Sequence, residues 1–421
     1  MKKTILIFML LAAAASVFAG EDVVRYDNID FTFVPASARY EGMGASGTAS
    51  SSRLDSFFRN PAVLAGGGFS ISIPSVSMTV FNLNRNLKDE NVRADIETIE
   101  KNEADTSTYT DLLQRYISNL GTGHNLVSQI DVSTAVKAWH VGLGTDLQIR
   151  IHSMSNGSAS LANMTLIPEV NASETIALGF NIVDTDHFTF SVGGSAHFVV
   201  KQYYKGIAAN TILAMMDDEN PDFLKMLVWD TPVMGGFAIP CDLGVTMKLG
   251  QAFVLSASAT NLNGTYHMKS YSSEGDWCIA NNIALEIPMP EDHETKESVA
   301  FEIETPWELN FGLALAPQWK VIRPVISADL VDMAGMVKSI SEGEFRAEDL
   351  LLHLNAGAEI GILDIVKVRA GINRGYMSVG LGLNIFIAQM DVAYGWREMG
   401  AQIGDKPVDA LTVRFNLGYD R

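Results

Sequence analysis

From about residue 69 to the end of the chain, apolar and polar positions alternate with a period of two. Leu411, Val413, Phe415, Leu417 and Tyr419 alternate with Thr412, Arg414, Asn416 and Gly418. Val366, Val368, Ala370 and Ile372 alternate in the same way with Lys367, Arg369, Gly371 and Asn373. Neighbouring side chains on a strand point to opposite faces, so each such segment has one apolar and one polar face. The pattern predicts fourteen strands, near 69–81, 126–138, 140–152, 175–183, 187–200, 239–248, 252–262, 307–315, 322–331, 351–362, 365–373, 377–386, 387–396 and 410–419.

A soluble sandwich of two sheets alternates as well. Three further features point to a membrane barrel. The segments are as long as strands that cross a bilayer at a tilt, whereas strands of soluble proteins average about 5–6 residues. Their polar faces mix Arg, Lys, Glu and Asp with glycine, as a polar lumen would. The joins also alternate: those at 139, 184–186, 249–251, 316–321, 363–364 and 386–387 are short. Those at 82–125, 153–174, 201–238, 263–306, 332–350 and 397–409 are long, and 374–376 is the exception. Short turns on one rim and long loops on the other mark an outer-membrane barrel, with both ends at the short-turn, periplasmic side. The fold expected is therefore all-β, a transmembrane antiparallel barrel of about fourteen strands spanning residues 69–421.

Two long joins have helical character. Residues 88–120 are charged and read as a solvated helix. Residues 207–229 are apolar: Ile212, Leu213, Met215 and Met216 precede Asn220-Pro221, which suits an N-cap and first helical turn, and Phe223, Leu224, Met226, Leu227 and Trp229 follow. These apolar side chains belong to a loop that faces the outside, where burying each Leu, Met or Phe is worth about 1.5–3 kcal/mol, so they are expected to cover something.

Composition adds the compartment. Residues 1–19 read as a secretory signal peptide: Lys2 and Lys3, an apolar run from Thr4 to Ala15, and a Val17-Phe18-Ala19 cleavage site. No cysteine stands at the cut, which argues against a lipoprotein. Thirty basic and 49 acidic residues give a net charge of −19, which does not favour nucleic acid. Cys241 and Cys278 are the chain's two cysteines, too few for a disulfide framework, and their pairing stays open. No cofactor motif survives inspection. Gly42-Met43-Gly44-Ala45-Ser46-Gly47 fits G-x-G-x-x-G, but the strand, helix and crossover of a dinucleotide site are missing. His152, His197 and His353 fall on polar strand faces and read as lumen residues rather than metal ligands. No nucleophile elbow, zincin helix or P-loop is present, so no catalytic residue is assigned.

The stretch ARYEGMGASGTASSSRLDSFFRNPAVLAGGG lies ahead of the first strand. It resembles the N-terminal hatch of the FadL family of outer-membrane transporters for long-chain fatty acids and other hydrophobic compounds, and the C-terminal strands follow the family's pattern. The matching residues are Gly42, Gly44, Gly47, Asn60, Pro61 and Ala62. The resemblance implies a hatch over residues 20–68, inside the barrel and in the outer membrane of a diderm bacterium. Pro61 fixes its own φ and keeps Asn60 extended, and Gly66 to Gly68 permit the turn out to the wall. Phe57, Phe58 and Leu64 would pack in the lumen or line an apolar pocket. With Leu213, Met216, Phe223, Leu224, Leu227 and Trp229 of the loop they are the candidate ligand contacts. The partners implied are a hydrophobic small molecule such as a long-chain fatty acid, outer-membrane lipid and the barrel assembly machinery. The chain ends Tyr419-Asp420-Arg421 rather than on the family's usual aromatic residue. The alternative function is a scaffold barrel of a secretion or surface complex.

Overall fold

The computed structural model describes residues 33–49, 54–101, 106–155, 163–208, 228–284, 287–295, 298–317, 319–400 and 403–420. Among these residues fourteen strands form the wall. They are β1 (Phe69–Phe81), β2 (Gly123–Ala138), β3 (Val141–Ser155), β4 (Met164–Asp184) and β5 (Phe188–Tyr204). Next come β6 (Val233–Ala238 and Cys241–Leu249), β7 (Phe253–Leu262 and Thr265–Tyr271) and β8 (Ala300–Glu304 and Glu308–Leu315), each in two lengths. The last six are β9 (Ile322–Leu330), β10 (Leu354–Ile362), β11 (Val366–Asn373), β12 (Tyr376–Ile385), β13 (Ala388–Glu398) and β14 (Pro407–Asp420). Each strand pairs antiparallel with the next, and β14 returns to β1 through register pairs such as Val76 with Phe415 and Thr79 with Thr412. Closure leaves no unpaired edge.

The two faces of the wall are the reverse of a soluble protein's. Leu143 and Leu147 of β3, Ile176, Leu178 and Phe180 of β4, and Val379 and Leu381 of β12 are exposed on the outside. Asp146, Gln148, Arg150, Glu169, Asn171, Asp329, Glu359, Arg369 and Asp391 are buried on the inside. Such an apolar belt is stable against lipid and costly against water.

Most predicted strands appear where the alternation placed them, but their loop-side ends differ. β4 begins at Met164 instead of near 175, because Leu166 and Ile167 are both buried and the upper strand has no polar face to read. β6, β7 and β8 also extend above the belt, through Val233–Ala238, Thr265–Tyr271 and Ala300–Glu304, within joins expected to be loops. Residues 351–353, expected in a strand, close the 3-10 helix Ala347–His353. The charged join contains the helices Glu90–Glu100 and Thr106–Leu120. Of the apolar segment 207–229, Ile207–Ala208 is a short strand beside β4, and residues 209–227 lie outside the described part. The short join on the long-loop rim, Arg374-Gly375, has φ of 48° and 87°, the geometry of a two-residue hairpin turn.

Candidate functional site

The stretch preceding β1 runs inside the wall and touches it on two sides. The first contact is made by the short helix Ala38–Gly42 and the turn after it. Here the backbone of Gly42, Met43 and Gly44 lies directly against wall glycines. An added Cβ on Gly380 would stand 3.0 Å from Gly42 Cα, and Cβ atoms on Gly357 or Gly371 would strike the backbone of Met43 and Gly44. Gly44 itself has φ of 64° and donates its N–H to Ser378 Oγ at 3.0 Å. The N–H groups of Gly47 and Thr48 both donate to Asp329 Oδ2, at 2.6 and 2.9 Å. Gly47 sits under the Tyr40 ring, where a side chain would clash.

Arg39 and Arg369 both donate to Glu359, and Arg369 reaches Asp391 at 2.6 Å. All four side chains are at least nine-tenths buried. The inner segment and β10, β11 and β13 thereby share one charge network.

The second contact is built by Asn60-Pro61-Ala62. Asn60 is extended, with φ of −152°, as a residue before proline prefers. Its Oδ1 accepts from Ala62 N–H at 3.0 Å and caps the 3-10 helix Pro61–Gly66. Its Nδ2 donates to Thr48 O at 3.0 Å and Thr246 Oγ1 at 3.2 Å. The wall again presents glycine. Gly179, Gly193 and Gly244 form one cross-strand row on β4, β5 and β6, against Ala65, Pro61 and Asn60 respectively. Gly67 and Gly68, with φ of 66° and 87°, then turn the chain into β1.

Thus Gly42, Gly44, Gly47, Asn60, Pro61 and Ala62 all stand at contacts that hold the inner segment. Phe57, Phe58 and Leu64 pack with Leu54, Ala135 and Ala177 in a filled cluster. It is a core, not an open pocket. Leu213, Met216, Phe223, Leu224 and Leu227 lie outside the described residues. Trp229 is buried among the outer loops, over Gly275 of the helix Glu274–Ala280 and 5.2 Å from the His293 ring. His152, His197 and His353 do not converge on one another. His152 joins His124 and Glu169, His197 joins Asp242, and His353 meets the Val331 carbonyl. Both cysteines are free thiols.

Sequence reasoning missed an apolar sector of the lumen. Ile167, Val199, Tyr203, Ala238, Tyr266, Met268 and Ile303 are buried together toward the long-loop rim, with Phe33 of the inner segment packed against them. Cross-strand pairing sets them on the inward face: Val199 pairs with Ala238 and Tyr266 with Ile303. A hint was available in Tyr266, Met268, Phe301 and Ile303, which alternate within the join read as loop. Beside this sector Lys201 is fully buried, 3.2 Å from Glu169 Oε1 and 4.7 Å above the Tyr266 ring. Phe33 also borders a cavity of about 510 Å³ that opens toward the long loops. Arg59, Arg374, Glu308 and Asn261 are among its walls, so the free space is charged.

Outside the membrane belt, Glu274 accepts from Gln202 and Tyr204. Burial is the largest influence on it and holds its carboxyl above the ordinary range despite those bonds. Burial, with Glu274 alongside, pushes the Cys278 thiol up to about 11.

A closed antiparallel wall with an apolar exterior, a charged interior and an occupied lumen defines a β-barrel of the outer membrane of a diderm bacterium. No protein-family model matches the chain, and neither does any curated protein. Among solved structures, it is similar to the toluene transporter TodX of Pseudomonas putida, at 10% identity over 93% of this chain and 98% of that one, with a TM-score of 0.44. A TodX variant described as a monoaromatic hydrocarbon channel gives 10% identity, 93% and 100% coverage and a TM-score of 0.45. A Pseudomonas aeruginosa FadL homologue gives 10% identity, 93% and 99% coverage and a TM-score of 0.45.

Proposed function

We propose that this barrel is a passive outer-membrane channel for hydrophobic small molecules, with long-chain fatty acids as the first candidates. Residues 20–68 serve as its hatch in this reading. The observation that carries it is the apolar lumen sector of Ile167, Val199, Tyr203, Tyr266, Met268 and Ile303, closed over by Phe33. A water-filled porin lines its lumen with polar groups; large apolar side chains on the inward face suit an apolar passenger. Because Phe33 belongs to the inner segment, displacing that segment would uncover the sector. Capture by Leu213, Met216, Phe223, Leu224 and Leu227 of the third long loop would precede this step, methionine suiting varied apolar shapes.

The test is mass spectrometry of lipids retained by gently purified protein, followed by oleate titration of the delipidated barrel. Saturable oleate binding, weakened by Met268→Ser and Ile303→Ser, is the result expected. Absence of any retained or titratable apolar ligand, with a co-purifying protein instead, would favour a scaffold.

A further inference from the structure

The short turns on the periplasmic rim are of two kinds. Trp139 between β2 and β3, Leu363 between β10 and β11, and Phe386 between β12 and β13 have φ of 55°, 51° and 54°. A bulky side chain is strained in that left-handed region, which glycine or asparagine enters at less cost. The turn between β6 and β7 uses glycine, with Gly250 at φ of 61°. Backbone geometry alone therefore gives no reason for Trp, Leu and Phe at the other three.

These side chains are also uncovered. Phe386 is 98% exposed, Trp139 76% and Leu363 60%. Ile387 is exposed beside Phe386, and Trp319 and Val321 are exposed in the turn between β8 and β9. The backbone beneath them is fixed to the wall: Trp139 N–H donates to the Gly68 carbonyl at 2.8 Å, and Leu363 N–H to the Val321 carbonyl at 2.9 Å. Each turn continues the lipid-facing belt. Trp139 leads into exposed Val141 and Leu143, Leu363 follows exposed Ile362, and Phe386 follows exposed Ile385. Next to Leu363, Asp364 pairs with Arg323 of β9, both about half exposed. An ion pair beside large apolar groups suits the level where lipid and water meet, and tryptophan is enriched at that level.

The turns after β4 and β6 differ. Thr185-Asp186-His187 and Gly250-Gln251 are exposed and carry no large apolar side chain. Apolar turns thus occupy one arc of the rim, from β8 round through the β14–β1 closure to β3, and polar turns occupy the other.

We propose that this arc is a one-sided membrane anchor, seated among the phospholipid headgroups of the inner leaflet, while the turns after β4 and β6 stand in periplasmic water. The occupant is lipid because each apolar turn is continuous with a belt that lipid already covers. Burial there also supplies what the left-handed positions lack, a gain that offsets the backbone strain. Anchoring from one arc fixes the depth of the barrel.

The experiment uses full-length protein with Cys241→Ser and Cys278→Ser, folded into vesicles of phosphatidylethanolamine and phosphatidylglycerol. Single cysteines at Trp139→Cys, Leu363→Cys, Phe386→Cys, Thr185→Cys and Gln251→Cys carry a nitroxide. Its collision rates with oxygen, which favours lipid, and with a water-soluble nickel complex are compared. The oxygen-to-nickel ratio is expected to be several-fold higher at positions 139, 363 and 386 than at 185 and 251. Equal ratios at all five positions would overturn the anchor. So would spin–spin broadening at 386 with low access to both reagents, which would identify a second copy as the cover. Leu363→Asn with Phe386→Asn relieves the backbone, so the barrel should stay SDS-resistant in detergent yet insert several-fold less into vesicles from urea. Insertion equal to the parent's would also overturn the proposal.

Discussion

Arg39 of the inner segment and Arg369 of the wall meet over one carboxylate, each donating its Nε–H to Glu359 Oε2, at 3.2 and 2.6 Å. Two guanidiniums on one buried carboxylate, with Asp391 as the second acid, bring charges together in near balance. Removing one partner of such a network strands the rest, at a cost of about 3–5 kcal/mol. Glu359→Gln should therefore loosen the inner segment while leaving the wall's backbone pairing intact. Planar-bilayer recording should show higher and noisier conductance than in the parent, with SDS-resistant migration retained. Unchanged conductance would mean that the network stabilises the wall alone.

Deleting residues 20–65 should leave a folded, heat-modifiable barrel, since the fourteen wall strands close on one another without it. That barrel should conduct ions freely where the intact protein conducts little. Equal conductance of the two forms would show that the segment does not close the lumen.

Gly193 is a close point of contact between wall and segment, because any Cβ there would strike the backbone of Pro61 and Ala62. Backbone cannot swing aside as a side chain does, so Gly193→Val should displace the Asn60-Pro61-Ala62 turn. A rise in conductance is the readout. Gly361→Ala is the control, since its Cβ would find ordinary contacts 3.6 Å or more away.

Ligand capture is tested at the third long loop. Changing Phe223, Leu224 and Leu227 together to Ser should weaken oleate binding without altering heat-modifiable migration. Trp229 is buried against the Glu274–Ala280 helix, so its emission should report rearrangement of the loops rather than contact with oleate. Binding by the triple variant equal to the parent's would place capture elsewhere.

At the outer rim, Glu274 has a folded pKa above its unfolded value, with burial the first cause. The folded state thus holds the proton more tightly, and stability falls as pH rises from the unfolded pKa through the folded one. Hydrogen exchange of the Glu274–Ala280 helix should be slower in mildly acidic buffer than at neutral pH, and Glu274→Gln should flatten that difference. Cys278, pushed up to about 11, should stay almost unreactive toward maleimide at neutral pH. Rapid labelling would show that this loop opens.

Alternation, strand length, charged polar faces and alternating join lengths together predicted a barrel, because lipid outside and charge inside impose the same two-residue period on every crossing. Join lengths added the orientation. The turn around Asn60-Pro61 and the exit at Gly67-Gly68 were legible as well, since proline and glycine restrict or free the backbone locally. What alternation could not show was the part of the wall above the belt. There the start of β4 is buried on both faces and the period-two signal fades at Leu166 and Ile167, while the alternation of Tyr266 and Met268 stood inside a join read as loop.

The sequence by itself determined the strands, the closure they imply and the local shape of the inner segment. These follow from backbone sterics and from the two solvents that each strand faces. Only the tertiary structure decided which residues meet inside. Glycines at 179, 193 and 244 look like ordinary lumen glycines until register sets them in one row beneath Asn60 and Pro61. Arg39 and Glu359 are 320 positions apart, and nothing local pairs them. The apolar sector draws one or two residues from each of five strands, and whether such residues face each other depends on strand tilt and register. Those are properties of the closed sheet, not of any one segment.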